Sequence, residues 1–307
     1  MPIFLLSCLL TRWRGRARHA FSLLLLCWLP LGLAASSPQA SVFERSNVLL
    51  AQQIEQLRLG DPAAPVLAVF AMHSESMAFE GDAELTLRTA RQYQPGVRVL
   101  RLGNGWSKPG SKSRPPVLDY PFATRESMAL ALSAIAEHSR PETPVTLMFT
   151  SHGNQGVLGV KLGSRDYPPV SASDLSTWLA GLGQRPTLVL LSACYSGSLI
   201  DAVSGPQRLV LTAASAERSS FGCNFSSRNT FFIEELLGPA SAVDVGFEQH
   251  VRETWSRIAR REKDLKYGPP SNPQMHVGDQ MTQYAAASWT QWWRGSGLGA
   301  FAAEGNQ

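Results

Sequence analysis

Four stretches of this chain are apolar at nearly every position, and turn-forming residues bound each of them. They cover residues 66–73, 145–150, 187–193 and 208–214. Continuous apolar runs of this length, rich in Val, Leu and Phe, predict strands buried on both faces, as a parallel sheet covered by helices requires. Between them the apolar residues recur at helical spacing. Leu85, Leu87 and Ala90 set a helix over about residues 81–94. Met128, Leu130, Leu132 and Ile135 set a second, starting at a Thr124 cap and stopping before Pro141, and Leu175, Trp178, Leu179 and Leu182 set a third behind Ser171 or Ser173. A short strand over residues 97–102 and a short helix over 199–203 complete the alternation. Strand, helix, strand repeated in this way predicts an α/β fold built on a mostly parallel sheet with helices on both faces.

The remaining patterns are weaker. Residues 48–57 form a helical patch expected at the domain's edge, and residues 156–163 alternate with glycines at their corners, predicting a hairpin. Residues 103–123 lack periodicity and are rich in Gly, Pro, Ser and Lys, the kind of long connection that often binds or covers a ligand. A helix is expected over residues 243–263. Arg257, Arg260, Arg261 and Lys263 gather at its end, where cations are favourable. Residues 269–278 read as an extended link, residues 281–293 as a last, Trp-rich helix, and residues 294–307 as a flexible tail.

The 307 residues, 44% of them apolar, suffice for one large domain. Its expected span is residues 65–293, preceded by an N-terminal extension over 36–64. Residues 1–35 carry Arg12, Arg14, Arg16 and Arg18 but no Lys, Asp or Glu, and residues 21–35 are an apolar run, short for a membrane span, that ends in small residues. This pattern predicts an export signal cleaved near Ala35, the alternative being an uncleaved inner-membrane anchor formed by residues 21–35. Membrane contact is expected only through this segment. Without the four leader arginines the basic and acidic residues balance at 24 each, so the net charge of +4 belongs to the leader and no nucleic-acid partner is expected. Cys8 and Cys27 also lie in the leader, which leaves Cys194 and Cys223 in the exported protein.

Two of the buried strands end in reactive side chains. The run Leu188-Val-Leu-Leu-Ser-Ala-Cys194 delivers a cysteine into a turn of small residues, and Val145-Thr-Leu-Met-Phe-Thr-Ser-His152 delivers a histidine into a glycine turn. Ligands of open α/β sheets sit beyond the carboxyl ends of the strands, and neighbouring strands lie about 5 Å apart, so adjacent placement would give a Cys/His dyad. Read singly, either residue is as well explained by packing, and in an oxidising compartment two cysteines usually form a disulfide. A thiolate needs a proton donor for the leaving amine, a role for His152, and amides for the oxyanion, a role for the Gly153 and Cys194 N–H groups. No dinucleotide fingerprint, nucleophile elbow or zinc-ligand spacing occurs, so neither cofactor nor metal is expected.

The segments Thr150-Ser-His152-Gly, Ser192-Ala-Cys194-Tyr-Ser-Gly-Ser198 and Thr212-Ala-Ala-Ser-Ala-Glu-Arg-Ser219-Ser220-Phe-Gly-Cys223, in this order, resemble the legumain-type C13 family of cysteine peptidases. Ser271-Asn-Pro-Gln274 is similar to bacterial members. The resemblance implies a caspase/haemoglobinase-like three-layer sandwich, a His152–Cys194 dyad with the Gly153 and Cys194 amides as oxyanion donors, and Ser219 and Ser220 along the wall of the substrate pocket. It implies a peptide or protein substrate and, with the leader, a periplasmic endopeptidase. A related branch performs transamidation, and a silent relative binding peptides in the envelope is a further alternative. Ser192, a further expected residue of the substrate pocket, stands where the family carries an acidic residue, which puts preference for asparagine in doubt. His73, after the first strand, is a candidate to line the pocket.

Overall fold

The computed structural model describes residues 38–105, 118–224, 226–238 and 245–295. The strands in chain order are β1 (Val66–Ala71), β2 (Arg98–Gly103), β3 (Val145–Thr150), β4 (Gly153–Asn154), β5 (Val157–Leu162), β6 (Arg165–Ser171), β7 (Thr187–Ser192), β8 (Arg208–Thr212) and β9 (Gln274–Val277). The helices are α1 (Pro38–Leu59), α2 (Met77–Tyr93), α3 (Arg125–His138), α4 (Ala172–Ala180), α5 (Ile200–Val203), α6 (Phe231–Leu237), α7 (Phe247–Asp264), α8 (Thr282–Ala286) and α9 (Trp289–Arg294). The main sheet runs in the order β2-β1-β3-β7-β8-β9, and β4, β5 and β6 form a separate three-stranded sheet. The first five strands of the main sheet are parallel, and β9 closes the edge antiparallel to β8.

Alternation along each strand feeds two cores. Val66, Ala68 and Phe70 of β1, with Leu147 and Phe149 of β3, pack against side chains of α1, α3, α4 and α5. Leu67, Val69 and Ala71, with Met148, Leu188 and Leu190, pack against α2, α6, α7, α8 and α9. Successive strand residues point to opposite faces, so a strand covered on both sides must be apolar throughout. The result is the three-layer α/β sandwich expected from the pattern.

The periodic helices start where their caps predict. Thr124 caps α3 by accepting from the Ser127 N–H, and Ser171 caps α4 in a reciprocal box with Asp174. Three elements correct the reading from sequence. Residues 274–277 are not link but strand β9. The Trp-rich segment is not one helix: it breaks at Ala287, and Ser288 caps a new start for α9. The short helix α6 had no counterpart in the pattern. The helical patch at residues 48–57 is part of the 22-residue α1, whose Leu50 and Leu57 are buried in the core. Most of the connection expected over residues 103–123, the expected leader and most of the tail lie outside the described residues. Among the described residues no helix is long and apolar enough to cross a membrane.

The α1 end of the sandwich is tied by one guanidinium. Arg98 donates to the carbonyls of Leu57 (3.2 Å), Pro62 (3.1 Å), Ala64 (3.0 Å) and His138 (2.7 Å), joining the ends of α1 and α3 to β2. Arg98→Ala strands these carbonyls, and a loss of about 3 kcal/mol is expected in urea unfolding. A loss below about 1 kcal/mol would show that α1 contributes little to the fold.

Candidate active site

Parallel pairing sets the two reactive residues side by side. The last residues of β3 and β7, Thr150 and Ser192, are register partners, and one residue further the Ser151 N–H donates to the Ser192 carbonyl at 3.1 Å. His152 and Cys194 each follow two positions beyond the paired ends, both half-buried. The turns touch at Gly153, where a Cβ would lie 2.4 Å from the Cys194 carbonyl oxygen and 3.0 Å from the Ala193 Cβ. Only glycine fits there. Immediately after Cys194 the chain bends through Tyr195, a non-glycine residue at φ +56°, a conformation costing about 1 kcal/mol or more. Its N–H is spent on the Arg218 carbonyl at 2.8 Å, which holds the bend. The Ser198 hydroxyl, in the following 3-10 turn (Ser196–Leu199), accepts from the Gly156 N–H at 2.8 Å and so ties the small sheet to this turn.

The loop after β8 supplies donors to the Cys194 sulfur. The Ser220 N–H approaches Sγ at 3.3 Å and the Ser220 hydroxyl at 3.6 Å. Cys194 is held well below the usual thiol range, first by hydrogen bonding with the Cys223 thiol and then, against the opposing cost of burial, by Ser220 and the Ser219 hydroxyl. Cys223 is pushed up by that interaction and by burial. Both cysteines are free. Of the two thiols Cys194 is therefore the one that gives up its proton more readily.

The imidazole side is neutral. Burial lowers His152, while the charge of Cys194 pulls it back up. The ring packs nearly perpendicular to Phe79 of α2 (centroids 5.1 Å apart) and to His73 (4.6 Å). Burial, and after it His152, push His73 down to about 4. The Lys161 ammonium of β5 pairs with Glu75, and His73 forms a bridge to the same residue of that strand. Donor atoms of His73, Glu75 and His152 lie within 4.8 Å of one another, a set that can hold a metal ion if Glu75 gives up Lys161.

Beneath the strand ends lies a carboxylate the sequence did not reveal. Asp82 of α2, 0% exposed, accepts from Thr150 Oγ1 (2.8 Å), Ser192 Oγ (3.2 Å), the Thr230 N–H (2.9 Å), Thr230 Oγ1 (2.9 Å) and Asn229 Nδ2 (3.3 Å). Burial pushes it up to about 7 although the hydrogen bonds from Thr230, Thr150 and Asn229 favour the charged form. Ser192 needs correcting as a pocket-wall residue. It is 1% exposed, and its hydroxyl faces Asp82 and Thr230, so it belongs to the floor under the site. His73 lies against the His152 ring, Gly153 against the Cys194 carbonyl, and Ser219 and Ser220 beside the Cys194 sulfur. Phe79, Asp82, Glu75 and Lys161 join them unforeseen; a lone acid or aromatic on a helix gives no signal of the strand ends it reaches.

A family model described as the peptidase C13 family matches residues 126–278, a span that contains His152, Gly153, Cys194, Ser219 and Ser220 but not His73 or Asp82. Among solved structures the chain is similar to a crystal structure of caspase-1 from Spodoptera frugiperda, at 13% identity and a TM-score of 0.45, over 70% of this chain and 86% of that one. No curated protein matches the chain.

Two outcomes follow from this geometry. Gly153→Ala pushes the His152 turn off the Cys194 carbonyl, and at least a tenfold slower alkylation of Cys194 by iodoacetamide is expected in a protein that still melts cooperatively. For Asp82, a folded-state value raised from 3.8 to about 7 means that the protonated form favours folding. That stability is fully present below about pH 3.8 and gone once the pH has passed about 7. Relative to Asp82→Asn, the parent protein should therefore lose a few kcal/mol in urea unfolding between pH 4 and pH 8. Parallel pH profiles for the two proteins would contradict the buried charge.

Proposed function

Because the chain belongs to the peptidase C13 family, we propose that it is a cysteine endopeptidase in which Cys194 attacks the carbonyl of a peptide bond and His152 moves the proton. The observation that supports this reading is the register of β3 with β7, which ends two adjacent strands two residues short of a low-lying thiol and a neutral imidazole. As the S–C bond forms, the sulfur's proton passes to His152, and the carbonyl electrons move onto the oxygen, with the Gly153 and Cys194 amides as the assigned donors. His152 then protonates the departing amine, leaving a thioester. Water attacks that thioester, giving its proton to His152, which returns it to the leaving sulfur. Neutral His152 suits both proton transfers, since it must accept before it donates.

The substrate is an extended peptide or protein segment lying across Cys194, with Ser219 and Ser220 beside the residue before the scissile bond. Export by residues 1–35, either to the periplasm after cleavage or anchored to the inner membrane, is the matching location. A second reading has a specific observation behind it. The strongest influence on the Cys194 thiol is its neighbour Cys223, so under oxidising conditions the pair can form a disulfide, and the protein would then bind peptides without cleaving them.

With a peptide library and the purified reduced protein, Cys194→Ser and His152→Ala are each expected to lower kcat/KM by about a thousandfold or more, while Cys223→Ser keeps activity within about tenfold. Cleavage that survives Cys194→Ser would refute the assignment. Mass spectrometry of the unreduced protein separates the second reading, which requires Cys194 and Cys223 peptides linked and no cleavage until a reductant is added.

A further inference from the structure

We propose that Asp82 is the positioning residue of the dyad, a single buried carboxylate that sets the spacing of the His152 strand, the Cys194 strand and the loop that activates the thiol. Its five donors come from three segments. Thr150 ends β3 two residues before His152. Ser192 ends β7 two residues before Cys194. Asn229 and Thr230 end the loop after β8, which carries both Ser220 and Cys223. Moving this carboxylate moves all three.

The helix that bears Asp82 is itself pinned to the same parts. The Ser76 hydroxyl, which caps α2, donates to the Asn224 carbonyl at 2.9 Å, in the middle of that loop. One turn on, Phe79 packs against the His152 ring. At Gly81 a Cβ would come within 1.7 Å of the Arg228 carbonyl oxygen, so helix and loop backbone are in direct contact, and this brings Asn229 and Thr230 to Asp82. α2 thus touches His152 through one residue and the strand ends and loop through another, three positions apart and on one helix face.

A neutral group would not serve as well. Asp82 receives five donors on two oxygens, and an ionised carboxylate, which only accepts, can satisfy all of them. A carboxyl in a fully buried place is costly unless so satisfied. A group with no role beyond stability could be replaced there by an apolar side chain with little loss. The two acceptor oxygens fix the donors' positions, and the hydroxyls of Thr150 and Ser192 that reach them lie on adjacent, in-register strands.

This role rests on the cysteine-peptidase reading for its kinetic readout alone; alkylation of Cys194 tests it independently of any substrate. In Asp82→Asn the expected result is a cooperatively melting protein whose kcat falls about tenfold or more with KM within about threefold, and whose Cys194 reacts with iodoacetamide about tenfold more slowly. Asp82→Ala should fall further, because Asn retains one acceptor oxygen. Should neither variant fold, Thr150→Val and Ser192→Ala remove one donor each while leaving Asp82 in place, and each is expected to slow both kcat and alkylation severalfold. Folded variants with kcat and alkylation within twofold of the parent would overturn the role, as would a change confined to the melting temperature. If the parent itself cleaves no peptide, the peptidase reading fails, and the alkylation rates still decide the positioning role.

Discussion

The in-register parallel pairing of β3 with β7 is the constraint on which the rest depends. It exists because both strands are apolar on two faces and can be buried only side by side within a covered sheet. Once Thr150 faces Ser192, residues two positions further along each chain emerge at the same edge. There Gly153 removes the one side chain that would wedge the turns apart, and Tyr195 accepts a left-handed backbone so that the chain leaves the edge at once. A one-residue slip of either strand would send its apolar set to the wrong core. Packing, rather than any contact between sulfur and imidazole, therefore sets the geometry of the site.

Electrostatics divides the labour between the two side chains. Half-burial would by itself raise a thiol and lower an imidazole, making both neutral. Donors from the loop after β8 reverse this for Cys194, while for His152, packed against a phenyl ring and a second imidazole, burial outweighs the upward pull of Cys194 and Glu75. The loop is held at its far end by Thr230 on Asp82. A charge buried under the strand ends and a sulfur at the rim are thus parts of one hydrogen-bonded frame. The basic residues at the end of α7 stand apart from it. Arg257 and Arg261 pair with Glu234 and Glu235 of α6, binding helix to helix.

What could be read from the sequence was what repeats or what ends a repeat. Doubly buried strands are unbroken apolar runs, so β1, β3, β7 and β8 were visible, and so were the Cys and His that terminate two of them. Strand β9 was not, because its four residues are exposed or half-exposed and follow Pro269, Pro270 and Pro273, which read as irregular chain. The seven apolar and acidic residues of α6 are too few to show a period. Asp82 was illegible for a different reason. Its partners lie 68 to 148 residues away in sequence, and an acid in an amphipathic helix ordinarily faces water. Ser192 was read as pocket wall because local sequence places it beside Cys194, whereas alternation turns its hydroxyl inward to that hidden acid.

The account's central claim is that Cys194 is a readily ionised thiol whose proton His152 takes when a peptide is attacked. The most direct measurement is peptide mapping by mass spectrometry after treating the reduced full chain with a peptidyl acyloxymethyl ketone, a carbon electrophile that needs both a bound peptide and an activated sulfur. The account predicts one adduct, on Cys194, formed far more slowly when His152 is alanine. An adduct on Cys223, or labelling of Cys194 at the same rate without His152, would contradict it.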